Sequence, residues 1–293
     1  MNYTILEQLK QHKGKIVWLA SYPKSGNTWL RAFLSSLISD GKININQLLS
    51  DVYFPSRDIF LSVTNLDSTY LTKREIEELR YEVYDYVSQG EESDRLLFSK
   101  IHDKCSVDVR RIIDHPSTKC IIYLIRNPLS IVGSFANHLN NTIDKTISVM
   151  ADSRTTLAME QNGIPSMWQF SQNLGSWSEH VESWTSISSG KLKVFRYEDM
   201  LLESDKTFKS ILDHIGLDVS NIYLQRTIKS VHIDNLRQHE FEKGFEEKPM
   251  KLKSFFRTGK VDAWKSELTI QQQSDVISTH LETMNKYGYL EHD

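Results

Sequence analysis

Short runs of β-branched and aromatic residues, each closed by turn residues, alternate along this chain with longer stretches whose apolar positions recur at helical spacing. Four of the short runs predict strands, at residues 16–20, 96–101, 119–125 and 191–196, each too short and too β-branched or aromatic to favour helix. Behind the first run, Leu30, Phe33, Leu34, Leu37 and Ile38 repeat at helical spacing across residues 29–39. Thr72-Lys73-Arg74-Glu75 and Thr269-Ile270-Gln271-Gln272 are capping boxes; the first opens a charged helix ending at Gly90, the second a C-terminal helix. Strands alternating with helices predict βαβ units: an α/β fold whose central, mainly parallel sheet is flanked by helices. Such sheets bind ligands beyond the carboxyl ends of their strands, so the residues after each run carry the functional reading. Residues 141–166 and 234–257 lack clear periodicity and read as long loops, with 141–166 and 235–255 as lids over an acceptor. No repeat, linker or low-complexity tract divides the chain, so 1–293 reads as a single domain with its core at roughly 15–290.

Of the 293 residues, 39% are hydrophobic and 10% aromatic, ample for a large core. Thirty-five basic against 38 acidic side chains leave a net charge of −3. That balance excludes a general polyanion binder and predicts no nucleic-acid partner, while leaving room for a local basic pocket. Cys105 and Cys120 are too few for a disulfide scaffold and stand in no metal-ligand spacing, so a reduced, cytoplasmic setting is expected. The longest strictly apolar run is the six residues 120–125, where a membrane span needs roughly 20 and a signal-peptide core roughly 7–15. No membrane span and no targeting segment are therefore expected.

The turn between the first strand and its helix reads Ser21-Tyr22-Pro23-Lys24-Ser25-Gly26-Asn27-Thr28. A loop in that position presents unpaired backbone N–H groups to an anion, and the helix dipole adds partial positive charge. Lys24 contributes a full charge, Ser25 and Thr28 contribute hydroxyls, and Gly26 permits close backbone approach. A plain structural turn accounts for the same residues equally well. Nucleotide triphosphatases place Lys and then Ser or Thr directly after the last glycine, with the hydroxyl on magnesium. No Gly-Lys-Ser/Thr occurs here, which disfavours metal-dependent NTP hydrolysis.

Tyr22 to Trp29 resembles the 5′-phosphosulfate loop of the cytosolic-type sulfotransferases, enzymes that use 3′-phosphoadenosine 5′-phosphosulfate (PAPS) as sulfuryl donor; Asn27 stands where that family usually has Thr. Three further segments resemble the family in the expected order. Tyr123-Leu124-Ile125-Arg126-Asn127-Pro128, with Ser134 eight positions beyond the arginine, is similar to the motif that grips the 3′-phosphate. An Arg leaving a buried strand is also placed to fork onto a phosphate, or, more blandly, to satisfy carbonyls at the sheet edge. Val194 to Met200 resembles the segment whose tyrosine contacts the nucleotide, here Tyr197, and Phe256 to Lys265 resembles the family's C-terminal motif. There Arg257 and Gly259 match, whereas Thr258 replaces a lysine that would contact the 3′-phosphate. The resemblance implies a P-loop-like sulfotransferase fold and cofactor-binding residues Lys24, Ser25, Gly26, Asn27, Thr28, Trp29, Arg126, Ser134, Tyr197, Arg257, Thr258 and Gly259. Trp29 would stack on adenine; a core aromatic anchoring its helix is the competing reading.

Sulfuryl transfer to an alcohol needs a base for the acceptor proton and positive charge at the leaving phosphate oxygen. Phe98-Ser99-Lys100-Ile101-His102-Asp103 resembles the family's Lys-x-His segment, implying His102 as general base and Lys100 as a stabiliser of the transferring group, with Lys24 on the leaving oxygens. Histidine spacing suggests no metal site. The expected activity is thus metal-independent transfer from PAPS to a hydroxyl, with an amine as the lesser option, releasing adenosine 3′,5′-bisphosphate. A P-loop-type small-molecule kinase and a non-catalytic nucleotide-binding protein are the alternatives. The acceptor class, whether a small molecule, lipid or glycan, and the oligomeric state are open at this level.

Overall fold

The computed structural model describes residues 4–51, 55–90, 94–106, 112–158, 168–249, 252–257 and 259–290. Its strands are β1 (Ile16–Ser21), β2 (Leu97–Ile101), β3 (Thr118–Ile125), β4 (Thr156–Leu157), β5 (Gln172–Asn173) and β6 (Leu192–Arg196). β1, β2, β3 and β6 form one sheet in the order β2-β1-β3-β6, all parallel, while β4 and β5 make a small antiparallel pair. The four sheet strands match the expected runs to within one residue at each end. The reason is local. A parallel strand covered on both faces must be apolar at nearly every position, and all six residues of β1 are buried.

Alternate side chains of these strands feed two cores. Trp18, Tyr123 and Ile125 join Phe135, Trp177 and Trp184 on one face. Val17, Leu19, Ile122 and Leu124 meet Phe33, Leu34, Phe208 and Ile211 on the other. Phe33 and Phe208 stack at 4.1 Å, fastening the helix Asn27–Ile38 to the helix Ser204–Ile215. Each such large apolar side chain contributes about 1.5–3 kcal/mol by leaving water. Both capping boxes form, opening the helices Lys73–Gln89, with Gly90 as its C-cap, and Ile270–Lys286.

The two segments read as irregular contain helices instead. Ile143–Ala151 is helical, N-capped by Thr142, and buries Thr146 and Met150; at nine residues it is shorter than the window in which a helical period stands out. Residues 159–167 of that segment lie outside the described residues. Ile233–Lys243 is also helical, burying only Leu236 and Glu240. With so narrow an apolar stripe, its docking is polar: Glu240 accepts the backbone N–H of Phe255 at 2.7 Å and of Phe256 at 3.0 Å, and Arg237 Nε donates to Phe256 O at 3.2 Å. Among the described residues, no helix is long and apolar enough to cross a membrane.

Candidate active site

Because the sheet is parallel, Ser21, Ile101, Ile125 and Arg196 end their strands at one edge, and the segments that follow wall a cavity of about 920 Å³. Lys24, Gly26, Asn27, Thr28, Trp29, Lys100, His102, Arg126, Ser134, Tyr197, Arg257 and Gly259 all line it. Ser25 is buried in the turn and does not line the cavity, and Thr258 lies outside the described residues.

The turn after β1 is bent by positive φ at two positions, 67° at Lys24 and 100° at Gly26. Left-handed residues in a tight turn aim successive backbone N–H groups into a concavity, the geometry of an anion nest. Gly26 is required for a second reason: a Cβ there would sit 2.6 Å from Tyr197 Cδ2. Asn27 faces inward. Its Nδ2 donates to Leu19 O at 2.9 Å and approaches Ser21 Oγ at 3.3 Å, tying the helix N-terminus to β1, so an anion meets its backbone rather than its amide. Ser25 Oγ and Arg126 Nε are buried without a hydrogen-bond partner, and unspent buried polar groups of this kind suit an anionic ligand. Lys24 Nζ lies 3.8 Å from the Phe255 ring centroid. Burial, and then the charges of Arg126, Lys100 and Arg257, push its ammonium down to about 7.

Arg126 leaves β3 and donates from Nη1 to Lys24 O at 2.9 Å, which joins the turn to the segment after β3. Its guanidinium lies 4.2 Å from the Tyr197 ring centroid. Trp29 packs edge-on against Tyr197 at 5.8 Å and Phe208 at 5.5 Å, and its Nε1 donates to Val231 O at 3.0 Å. It therefore both anchors its helix and lines the cavity. Pro128 starts the helix Pro128–Leu139, which carries Ser134 to the same wall. Arg257 is ion-paired to Glu267, which lines the cavity too.

On the opposite side of the turn, His102 Nδ1 lies 2.7 Å from Ser21 O. A carbonyl can only accept, so Nδ1 carries the proton and Nε2 keeps its lone pair. Burial, and then the Lys100 charge, hold this imidazole well below the usual histidine range; it is neutral near pH 7, as a proton acceptor must be. His180, which stands in no sequence motif, supports it from behind. Its Nε2 donates to His102 O at 3.0 Å, and its Nδ1 accepts from Tyr123 OH at 2.9 Å. Lys100 Nζ stands 3.8 Å from Glu247 Oε2, while Arg31 grips the same carboxylate with both terminal nitrogens at 2.9 and 2.7 Å. Arg31, Glu247 and His180 had no signal in the sequence, because their partners are remote in the chain. Phe170 and Phe245 are core residues and Trp168 is 70% exposed, and none of the three lines the cavity. Among the described residues no three His, Cys, Asp or Glu side chains cluster as metal ligands do.

The profile of the sulfotransferase domain family matches residues 15–288. Flavonol 3-sulfotransferase of Flaveria bidentis is 23% identical over 271 residues, covering 86% of this chain and 76% of that protein. Sulfotransferase 1E1 of Bos taurus is 23% identical over 260 residues, covering 86% and 77%. Among solved structures, mouse sulfotransferase SULT7A1 complexed with PAP has a TM-score of 0.58 at 18% identity, over 96% of this chain and 88% of that one. Retinol dehydratase in complex with androsterone and inactive cofactor PAP has a TM-score of 0.62 at 16% identity, over 94% and 83%. At such identities the structural likeness establishes the shared fold.

Proposed function

This chain belongs to the sulfotransferase domain family and is an enzyme of sulfuryl transfer, and we propose that its cavity takes PAPS as donor and a small-molecule hydroxyl as acceptor. The observation that carries the reading is the hydrogen bond from Arg126 Nη1 to Lys24 O. It ties the turn of residues 24–28 to Arg126 at the wall of one cavity, which supports a single nucleotide carrying both phosphates. Two relatives whose structures contain PAP support the same nucleotide.

In this reading the nest of residues 24–28 and the Lys24 ammonium hold the 5′-phosphosulfate, Arg126, Ser134 and Arg257 hold the 3′-phosphate, and Trp29 and Tyr197 border the adenine. His102 Nε2 accepts the acceptor's hydroxyl proton as the new oxygen–sulfur bond forms and the bond from sulfur to the 5′-phosphate oxygen breaks. Lys24 neutralises the charge that grows on the departing oxygen, and Lys100 that on the equatorial oxygens. No covalent intermediate on the protein is needed. Burial and the neighbouring cations push the Lys24 ammonium down to about 7 in the free chain; the donor's negative charge favours its protonated form, the form that neutralises the departing oxygen.

The acceptor is small because a cavity of about 920 Å³, at the upper end of the range of about 300–1,000 Å³ for ligand pockets, must seat the nucleotide as well. Besides the residues assigned to the donor, the lining includes Leu48, Leu139 and Leu157 with Ser50, Gln169 and Gln172, a mixture suited to a compact ring alcohol or phenol. A cytoplasmic setting fits the two free cysteines. Thermal denaturation tests the donor: adenosine 3′,5′-bisphosphate raises the melting temperature without magnesium, and Mg-ATP does not. A shift with Mg-ATP alone would replace this reading by the kinase alternative.

A further inference from the structure

We infer that Glu267 is a built-in competitor for the donor's 3′-phosphate, holding Arg257 while the nucleotide is absent and reclaiming it when the product leaves; the inference rests on the donor reading above. Arg257 Nη2 donates to Glu267 Oε1, and the two side chains are mostly buried, at 29% and 26% exposure. Both line the same cavity as Ser134 and Arg126. The pair lies directly against Gly133, one residue before Ser134: a Cβ on Gly133 would stand 2.1 Å from Glu267 Oε2 and 3.2 Å from Arg257 Nη1. Glu267 thus places a carboxylate at the subsite where a doubly charged phosphate has to sit, and takes one of the donors that the phosphate needs.

The carboxylate is held in that place. It ends the short helix Trp264–Glu267, after which Leu268 is buried and its N–H donates to Trp264 O at 2.9 Å. Ahead of that helix, Ser130 Oγ donates to Val261 O at 2.8 Å and so fixes the segment to the helix Pro128–Leu139. A carboxylate so fixed repels the incoming phosphate and competes for Arg257, because both anions make charge-assisted hydrogen bonds to one guanidinium. The free chain thereby keeps its arginine satisfied, and the bisphosphate product is released faster than from an unopposed arginine.

Glu267→Gln removes the charge and keeps an oxygen acceptor for Arg257; Glu267→Ala removes both and serves as a second variant should the first fold poorly. Calorimetry with adenosine 3′,5′-bisphosphate and with adenosine 5′-monophosphate, which lacks the 3′-phosphate, reads the effect. The expected result is an approximately tenfold lower Kd of the variants for the bisphosphate, an unchanged Kd for the monophosphate, and a correspondingly slower bisphosphate dissociation in stopped flow. Equal or weaker bisphosphate binding by the variants would overturn the inference and make Glu267 an orienting partner of Arg257, leaving the donor reading intact. A parent chain that binds no bisphosphate would remove the donor reading itself, and this inference with it.

Discussion

Replacing Gly26 by alanine adds one methyl group at a left-handed position of the turn after β1. The backbone there has φ of 100°, a left-handed conformation that costs an L-residue about 1–2 kcal/mol. The added carbon would lie 2.6 Å from Tyr197 Cδ2 and 3.2 Å from Cε2, so the ring must move. It cannot move freely, with the Arg126 guanidinium 4.2 Å from its centroid and Trp29 packed edge-on at 5.8 Å. Overpacking of this kind costs about 1–3 kcal/mol. The sum, about 2–5 kcal/mol, corresponds to a fall in melting temperature of roughly 3–8 °C for a chain of this size. The backbone share appears in stability alone. The ring share also reaches the ligand, because Tyr197, Trp29 and Arg126 all line the cavity; if half of it is felt there, adenosine 3′,5′-bisphosphate binds about two- to twelvefold more weakly. Gly190→Ala is the control, since a Cβ there has no neighbour within 4 Å, and a change within about ±0.5 kcal/mol is expected. Calorimetric titration of both variants decides the matter. Parental affinity in Gly26→Ala would show that the turn is not where the nucleotide binds.

His102→Ala should lower kcat by about 10²–10⁴ while leaving the bisphosphate Kd within a few-fold of the parent; a comparable loss of donor affinity would mean that His102 binds rather than catalyses. Because Lys24 in the free chain loses its proton above about pH 7, donor binding at pH 8 should take up a proton, visible as a calorimetric enthalpy that varies with buffer ionisation. Affinity should then fall as pH rises above 7, and an enthalpy independent of buffer would refute the assignment. On the acid side, burial pushes His138, His180 and His280 down to about 4, against about 6.5 in an unfolded chain. The unfolded state therefore binds protons first, so the stability owed to these residues is complete above pH 6.5 and is lost as pH falls towards 4. Urea midpoints at pH 6.5, 5.5 and 4.5 should decrease in that order, and a constant midpoint would contradict it.

Several elements were legible because their cause is local. The apolar runs at β1 and β3 are continuous since those strands are covered on both faces, and the capping boxes at Thr72 and Thr269 are reciprocal bonds within four residues. The helix Ile233–Lys243 was not legible, because what holds it is the reach of Glu240 to the backbone of Phe255 and Phe256. The same limit applies in the site. Lys24, Lys100, His102 and Arg126 stand in short segments next to strand ends, where position along the chain already implies exposure at the sheet edge. His180 owes its place to the helix Trp177–Thr185 and to hydrogen bonds from Tyr123 and to His102, which no spacing encodes.

The order of residues along the chain by itself determined the four strands of the main sheet, the turn between β1 and its helix, and which side chains leave those strands at their carboxyl ends, since each depends on neighbours within a few positions. Tertiary structure alone decided that Arg126 meets the Lys24 carbonyl, that the Ser21 carbonyl selects the histidine tautomer, and that Arg31 and Arg257 are each answered by a carboxylate. Those contacts depend on strand order and helix placement, which the packing of two cores against one sheet sets for the chain as a whole.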